Sequence, residues 1–247
     1  MALQIGLLTA ANSSVAASFN AEFYAEWPYA QPKDILPYVF ENSQRGDLGA
    51  IISAIDKFGD YYPMYKCGDE KGLILETLVK DANPKHVVEL GTFLGYSAVR
   101  MNSQLQKGAQ FITVEAKPEN ADVARSIIEY AGFGDQVTLL KGRLAKDALP
   151  DVSKILNGSS ADFVFLDHFK DCYLPDLKAM EQLGIVGKGS VIVADNVLYP
   201  GAPGFLEYVS DSSRYDTRLI PAKFEYDQKW KPDWTPQDDA ISVSVFL

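Results

Sequence analysis

The chain has 247 residues, of which 47% are hydrophobic, a length and composition typical of one α/β domain with a sizeable core. Its formal net charge is -10, which argues against a nucleic-acid partner because phosphate binding needs a basic face. The two cysteines, Cys67 and Cys172, form no CxxC pair, and histidine is equally scarce. We therefore expect neither a disulfide framework nor a histidine-based zinc site.

Two further features bear on the compartment in which the protein works. The sequence has no run of 18 apolar residues and no basic residue before Lys33, so we expect neither a membrane span nor a signal peptide. The scarcity of cysteine favours a reducing compartment. Together these features predict a cytoplasmic protein.

The apolar periodicity predicts an N-terminal extension in residues 1–31, followed by one domain in residues 32–247 in which helices and strands alternate. The predicted helices are residues 33–42, 47–58, 73–80, 96–106, 118–131, 145–149, 152–156, 171–183 and 202–209. The predicted strands are residues 86–90, 110–114, 136–140, 163–166, 191–194, 218–226 with a break at Pro221, and 241–247. This alternation predicts a doubly wound α/β fold with a largely parallel sheet.

The fourth and fifth predicted strands both end in polar groups. Asp167 and Lys170 follow the fourth strand, and Asp195 and Asn196 follow the fifth. Ligands of open α/β sheets bind beyond the carboxyl ends of the strands, and the three oxygen-bearing side chains suit Mg²⁺, which keeps further positions for water or substrate. The alternative is that an aspartate at a strand end only caps the next helix.

Lys170 completes this candidate reaction centre. A cation nearby disfavours the charged form of a lysine. The neutral amine of Lys170 could then accept a proton from a substrate hydroxyl.

A second candidate site lies where the first predicted strand meets its helix. The segment from Glu89 to Ser97 contains Gly91 and Gly95 in a G-x-x-x-G spacing, which differs from the G-x-G-x-x-G of dinucleotide enzymes. Glu115 ends the next strand, where an acidic residue can accept both hydroxyls of a ribose. These residues favour a nucleoside without a pyrophosphate, such as an adenosyl sulfonium whose charge Glu89 could offset.

Five segments between residues 32 and 226 resemble, in order, the sequence blocks of the catechol O-methyltransferase family. They are GDEKG, VELGTFLGYSAVRM, VEAKPENA, VFLDHFKDCYLPD and VIVADNVLYPGAPGFLEYV. The resemblance implies a single Rossmann-like methyltransferase domain with a mostly parallel seven-stranded sheet and helices on both faces. It also implies an enzyme that, with Mg²⁺, transfers a methyl group from S-adenosylmethionine to one hydroxyl of a catechol-type vicinal diphenol.

The resemblance further implies a role for each matching residue. The metal ligands would be Asp167, Asp195 and Asn196. Lys170 would be the general base and Glu225 would hydrogen-bond the second hydroxyl, while the residues contacting the acceptor would be Lys170, Asn196, Pro200 and Glu225. The cofactor would be bound by Glu115 at the ribose, His168 beside the adenine, and Glu89, Gly91, Tyr96 and Ser97 at the methionine portion.

Four positions depart from the family pattern. Pro63 and Tyr65 stand where the family has tryptophan and methionine, and Phe169 replaces a tryptophan. These three changes alter the aromatic surroundings of the substrate ring, so the acceptor stays open. Leu144 replaces a serine near the adenine.

Three alternative functions stay open at this point. A nicotinamide oxidoreductase could use a similar sheet, although the missing third glycine argues against it. A non-catalytic homologue would bind the cofactor without turnover. An enzyme with the same chemistry could act on a larger phenolic or a secondary metabolite.

Overall fold

The computed structural model describes residues 32–61, 64–210, 213–225 and 237–247. The α-helices are α1 (Ile35–Asn42), α2 (Leu48–Tyr61), α3 (Gly68–Ala82), α4 (Tyr96–Asn102), α5 (Pro118–Ala131), α6 (Ala145–Leu156), α7 (Tyr173–Gln182) and α8 (Phe205–Ser210). The strands are β1 (His86–Leu90), β2 (Gln110–Glu115), β3 (Val137–Lys141), β4 (Phe163–Leu166), β5 (Val191–Ala194), β6 (Tyr215–Lys223) and β7 (Asp238–Phe246). Short 3-10 turns precede α1 and α7, at Pro32–Asp34 and Lys170–Cys172.

The strands form a seven-stranded sheet in the order β3-β2-β1-β4-β5-β7-β6. Strands β1 to β5 pair in parallel, whereas β7 is antiparallel to both of its neighbours, β5 and β6. The order reverses between β1 and β4, so this is the switch point at which ligands of doubly wound sheets bind. The mostly parallel, doubly wound sheet expected from the sequence is confirmed.

Helices cover both faces of the sheet because successive residues of each buried strand point to opposite sides. Val87, Phe163 and Phe165 contribute to one apolar cluster, which also contains residues of helices α1 to α5. Val88 and Val164 contribute to the other, with residues of α6, α7 and α8. Burial on both faces explains why the strands have short, almost continuous apolar sequences.

Prolines do not interrupt two elements at which the sequence predicted a break. Helix α6 runs through Pro150 as one helix, because apolar residues on both sides of the proline pack against the sheet and hold the two halves in line. Strand β6 runs through Pro221. It lies at the edge of the sheet, the place where a strand tolerates proline because one of its sides has no partner strand.

Two predicted boundaries were wrong in a way that matters for the site. Helix α3 begins at Gly68, so the GDEKG segment forms its first turns and does not precede it. Strand β7 begins at Asp238 and not at residue 241 as predicted, which places Asp239 in the sheet. The predicted N-terminal extension, residues 1–31, lies outside the described residues. Within the described ranges, no helix is long and apolar enough to cross a membrane.

Candidate active site

The loops that follow β1 and β4 touch at the carboxyl edge of the sheet. Gly91, directly after β1, has a φ of 103°, and a Cβ built on it would lie 2.4 Å from the backbone oxygen of Asp167. Only glycine tolerates both this backbone conformation and this approach. The glycine predicted to lie near the cofactor therefore also brings the two halves of the candidate site together.

Lys170 lies in a short hydrogen-bonded chain after β4. Its Nζ donates to Asp167 Oδ1 at 2.9 Å and to the Tyr173 hydroxyl at 2.7 Å. The Tyr173 hydroxyl in turn donates to the backbone oxygen of Asp195 at 3.1 Å. The amine of the predicted base is thus held between the ends of β4 and β5.

Asp195 and Asn196 lie at the end of β5, as the sequence predicted. Asp195 is fully buried, and its Oδ1 accepts the Asn196 backbone N–H at 2.8 Å. Its other oxygen, Oδ2, is buried and has no hydrogen-bond partner among the described residues. Asp195 is not the N-cap of a helix, because Asn196 precedes the irregular turn Val197–Gly201.

An ion cluster surrounds this strand end. The Nζ of Lys71 lies 2.8 Å from Asp195, 2.7 Å from Glu225 and 2.6 Å from Asp239, and its side chain is only 1% exposed. Asn196 Nδ2 donates to Asp239 at 3.0 Å and to Glu225 at 3.1 Å. Three carboxylates therefore surround the buried ammonium group of Lys71. The Asn196 amide is hydrogen-bonded to two of them.

Burial and mutual repulsion disfavour negative charge in this cluster. Burial raises the pKa of Glu225 to about 7, and the nearby Asp195 adds to the effect. Burial likewise raises the pKa of Asp167 to about 6, although Lys170 opposes the shift. Burial by itself would lower the pKa of Lys71, but its three carboxylate neighbours raise it well above its ordinary value. The arrangement contains more carboxylates than one lysine can neutralise, and a further cation would stabilise them.

The residues expected to hold the methionine portion of a cofactor are linked to each other. Glu89 is fully buried, and it accepts hydrogen bonds from Ser97 at 2.5 Å and Thr113 at 2.6 Å. Burial raises the pKa of Glu89 to about 7 in spite of these two donors. Glu89 would therefore act on a ligand through its charge or through Ser97.

Glu115 holds the loop between β1 and α4. It accepts the backbone N–H of Phe93 at 2.8 Å on one oxygen and that of Lys117 at 2.9 Å on the other. Phe93 has a positive φ of 47°, a conformation that costs free energy in a residue other than glycine. Oε1 also lies 3.5 Å from the Asn120 amide nitrogen, whereas Oε2 keeps a lone pair that can accept a ribose hydroxyl.

Two other predicted cofactor residues have internal partners. The Tyr96 hydroxyl donates to Asp56 at 2.7 Å and accepts from Arg100 at 2.9 Å. The His168 ring lies 5.0 Å from that of Tyr173 in a stacked arrangement, and its Nε2 is 2.9 Å from Asp176. Burial lowers the pKa of His168, so the ring is neutral near pH 7.

Of the four positions that depart from the family pattern, three lie within the described residues. Pro63 lies outside them. Tyr65 is exposed and meets the edge of the Phe93 ring at 5.9 Å, and Phe169 is half-buried. Leu144 is 54% exposed at the start of α6. Pro200, predicted to line the acceptor site, is half-buried in the turn Val197–Gly201.

Lys71, Asp239 and Tyr173 also take part in the site, although the sequence did not predict this. A signal for Lys71 was available, because it falls on the helical stripe of buried residues in α3, which is Gly68, Lys71, Gly72, Leu75, Leu78 and Val79. A lysine on such a stripe needs a buried counter-charge. Asp239 carried no comparable signal, since its partners come from distant parts of the chain.

The residues present fit a divalent cation at the end of β5. Within the described ranges, no three His, Cys, Asp or Glu side chains cluster as a metal site, and the expected set itself contains two carboxylates and one amide. The buried, unpaired Oδ2 of Asp195 supplies the specific support. Such an acceptor is costly unless a donor or cation satisfies it, and carboxylate and amide oxygens are ligands that Mg²⁺ prefers.

The doubly wound sheet and the polar groups at its carboxyl edge define the class of α/β enzymes that bind ligands at the switch point of the strand order. The O-methyltransferase family model matches residues 54–222. Catechol O-methyltransferase B of Danio rerio is 42% identical over 88% of this chain and 79% of the relative. Catechol O-methyltransferase of Bos taurus is 39% identical over 78% of this chain and 71% of the relative.

The likeness extends to solved structures. An O-methyltransferase from Bacillus cereus, solved in complex with SAH, matches with a TM-score of 0.65 at 21% identity, over 98% of this chain and 100% of that one. The chain belongs to the O-methyltransferase family, whose members transfer a methyl group to oxygen. This confirms the resemblance found in the sequence and the expectation of an enzyme.

Proposed function

We propose that this protein transfers a methyl group from S-adenosylmethionine to one hydroxyl of a catechol-type vicinal diphenol, in a reaction that depends on Mg²⁺. The observation that carries the proposal is the gathering of Asp167, Lys170, Asp195, Asn196 and Glu225 at the carboxyl edge of the sheet. The relatives named catechol O-methyltransferase support it.

The acceptor half of the reaction would use residues at the ends of β4 and β5. Lys170 would take the proton of the hydroxyl that is methylated, and Glu225 would hold the second hydroxyl. Asp167, Asp195 and Asn196 would hold Mg²⁺, which when bound would orient two neighbouring oxygens and make a hydroxyl more acidic. The deprotonated oxygen then forms a bond to the methyl carbon as the bond from that carbon to sulfur breaks, and S-adenosylhomocysteine leaves.

The cofactor half would use residues at the ends of β1 and β2. Glu115 would accept the ribose hydroxyls, because its Oε2 lies at the loop after β1 and its Oε1 at the loop after β2, where one hydroxyl would replace the long contact to Asn120. Glu89, through Ser97, would offset the positive charge of the sulfonium. Holding the oxygen and the methyl group in attack geometry can lower the activation free energy by on the order of 7–11 kcal/mol.

We further propose a cytoplasmic location and no nucleic-acid partner. Cys67 and Cys172 are both free, as expected in a reducing compartment. The net charge of -10 opposes binding to phosphate backbones.

The test is to incubate the protein with S-adenosylmethionine and a panel of phenols, and to detect methylated product by mass. The panel should pair vicinal diphenols with their meta isomers and include larger phenolics, each with Mg²⁺ or with a chelator. The expected result is a mono-methylated product from vicinal diphenols that is lost with the chelator. Product that forms equally with the chelator, or equally from the meta isomers, would contradict the proposal.

A matched pair of variants ties the reaction to the site. Glu115→Gln removes the charge that would hold the ribose, and Glu119→Gln removes an exposed charge in the first turn of α5, the helix that follows. Cofactor affinity should fall by about tenfold or more in the first variant, since hydrogen bonds to charged groups contribute about 1.5–3 kcal/mol, and stay unchanged in the second. Equal affinities would remove Glu115 from the cofactor site.

A further inference from the structure

Asp239 is the member of the ion cluster for which the proposed reaction gives no role. It is buried, with 2% of its surface exposed, at the start of β7. It lies 43 positions after Asn196 and 168 positions after Lys71, yet it contacts both. A buried carboxylate is retained only with strong compensation, so the contacts of Asp239 should reveal what it does.

Both oxygens of Asp239 already accept hydrogen bonds. Oδ1 accepts the backbone N–H of Leu198 at 3.2 Å and of Tyr199 at 3.0 Å. Oδ2 accepts Lys71 Nζ at 2.6 Å and Asn196 Nδ2 at 3.0 Å. Four donors saturate a carboxylate, so Asp239 is not itself available as a metal ligand.

These contacts decide which atom of the Asn196 amide is free. The amide nitrogen is taken up by Asp239 and by Glu225, and a reversed amide would place its oxygen against two carboxylates. The amide oxygen is therefore the atom left for a ligand, and Mg²⁺ takes oxygen ligands. Glu225 would also be needed by the second hydroxyl of the acceptor, whereas Asp239 has no such competing role.

Lys71 likewise determines which oxygen of Asp195 is available to a ligand. Its Nζ lies 2.8 Å from Asp195 Oδ1, which also accepts the Asn196 backbone N–H. The occupied Oδ1 leaves Oδ2 as the free oxygen of that carboxylate. Asp239 holds Lys71 in this position through the shortest of the three ion pairs of that lysine.

We propose that Asp239 is a positioning residue for a divalent cation, orienting the Asn196 amide so that its oxygen faces the ion. This inference rests on the proposed metal-dependent function. Outer partners of this kind typically change metal affinity by about 10–100-fold. They leave cofactor binding unchanged when they do not touch the cofactor.

The experiment measures binding of Mn²⁺ alone, by the loss of its free electron-spin-resonance signal, to the whole protein without an acceptor. Asp239→Asn should weaken Mn²⁺ binding about tenfold or more. The new side chain has one acceptor oxygen in place of two, so it cannot accept from Lys71, Asn196 and the backbone N–H groups together. Asp238→Asn is the matched control, since it removes the same charge from the exposed neighbouring position. Affinity for S-adenosylhomocysteine, measured by calorimetry, should stay within about twofold in both variants, which reports that the fold is kept.

A second background separates orientation from charge. In Asn196→Asp there is no amide to orient, so adding Asp239→Asn should cost little or nothing further in Mn²⁺ affinity. An equal loss in both backgrounds would overturn the inference, as would unchanged Mn²⁺ affinity in Asp239→Asn. If the unaltered protein binds no Mn²⁺, the proposed metal dependence fails and the inference fails with it.

A structure of the unaltered protein with Mn²⁺ tests the inference even if Asp239→Asn does not fold. The expected ligands include Asp195 Oδ2 and Asn196 Oδ1, with Asp239 still bound to Asn196 Nδ2. Direct coordination by Asp239, or a reversed Asn196 amide, would overturn it.

Discussion

At the scale of single residues, the candidate site consists of buried charged groups. Hydrogen bonds to neighbouring side chains determine which of their polar atoms stay available to a ligand. Tyr173 and Asp167 hold Lys170, and Ser97 and Thr113 hold Glu89. Each hydrogen bond leaves a defined lone pair or proton for a ligand. The same contacts make each group sensitive to replacement, since an unpaired buried partner is costly.

Lys170→Met tests the proposed base. We expect the turnover number to fall by about 10²–10⁴-fold, the range that general base catalysis contributes, while cofactor affinity stays within about twofold. Lys178→Met, an exposed lysine on α7, is the control and should keep full turnover. Steady-state kinetics at saturating Mg²⁺ make the measurement, and normal turnover in Lys170→Met would rule out its role as base.

Glu89→Gln tests the buried carboxyl through the pH dependence of stability. The folded-state pKa of Glu89 is raised to about 7 by burial, so folding favours its protonated form. The free energy of unfolding should therefore fall as pH rises from about 4.5 to 7, by up to about 3 kcal/mol from this group. Urea unfolding at pH 5 and pH 8 should show the full loss in the parent and in the exposed control Glu119→Gln. The loss should be smaller by up to about 3 kcal/mol in Glu89→Gln, in which Glu225 and Asp167, whose pKa values are also raised, still contribute. Parallel pH curves for all three proteins would refute the assignment.

At the scale of elements, the glycine turn after β1 determines how closely the two loops of the site approach. Gly91 brings the β1 loop against Asp167, and Gly68 at the start of α3 lets Glu225 approach, with its Cβ 3.0 Å from where a glycine Cβ would lie. Both glycines have positive φ. The site therefore depends on close backbone contact between elements that are distant in sequence.

Gly91→Ala tests this close approach, with Gly108→Ala as the matched control. Both glycines have positive φ, 103° and 92°, but a Cβ on Gly108 meets nothing within 4 Å. Gly108→Ala should lower the free energy of unfolding only by the cost of backbone strain, about 1–2 kcal/mol. Gly91→Ala should cost about 1–3 kcal/mol more through overpacking. Equal losses in urea unfolding would show that the two loops are not tightly packed.

At the scale of the whole molecule, the sheet brings together groups from α3, the β4 and β5 ends, and β7. Parallel strands place their carboxyl ends at one edge, and the antiparallel β7 adds Asp239 beside β5. Lys71 joins them from α3 on one face of the sheet. A ligand bound at this edge would contact several elements at once and should stabilise the fold as a unit.

Added S-adenosylhomocysteine should raise the melting temperature of the protein. A ligand at 100 times its dissociation constant contributes about 2.7 kcal/mol, which corresponds to about 5–10 °C for a chain of this size. Glu115→Gln should show a smaller shift at the same ligand concentration. A melting temperature that does not change for the parent would contradict a cofactor site at this edge.

Three features could be predicted from the sequence: the order of helices and strands, the doubly wound class, and the polar residues at the strand ends. These features follow from local apolar periodicity and from the short spacing of motifs such as Asp195 and Asn196. The breaks predicted at Pro150 and Pro221 were wrong, because tertiary packing and an edge position overrode the usual effect of proline.

The packing of the whole fold brings Lys71, Glu225 and Asp239 together, because their contacts join positions up to 168 residues apart. It also decided which oxygen of Asp195 is left unpaired. No local pattern carries such information, since hydrogen bonds between distant side chains depend on the packing of the whole sheet. The positions of the polar residues at the strand ends therefore follow from local sequence, whereas the side chains that contact and orient them depend on the fold.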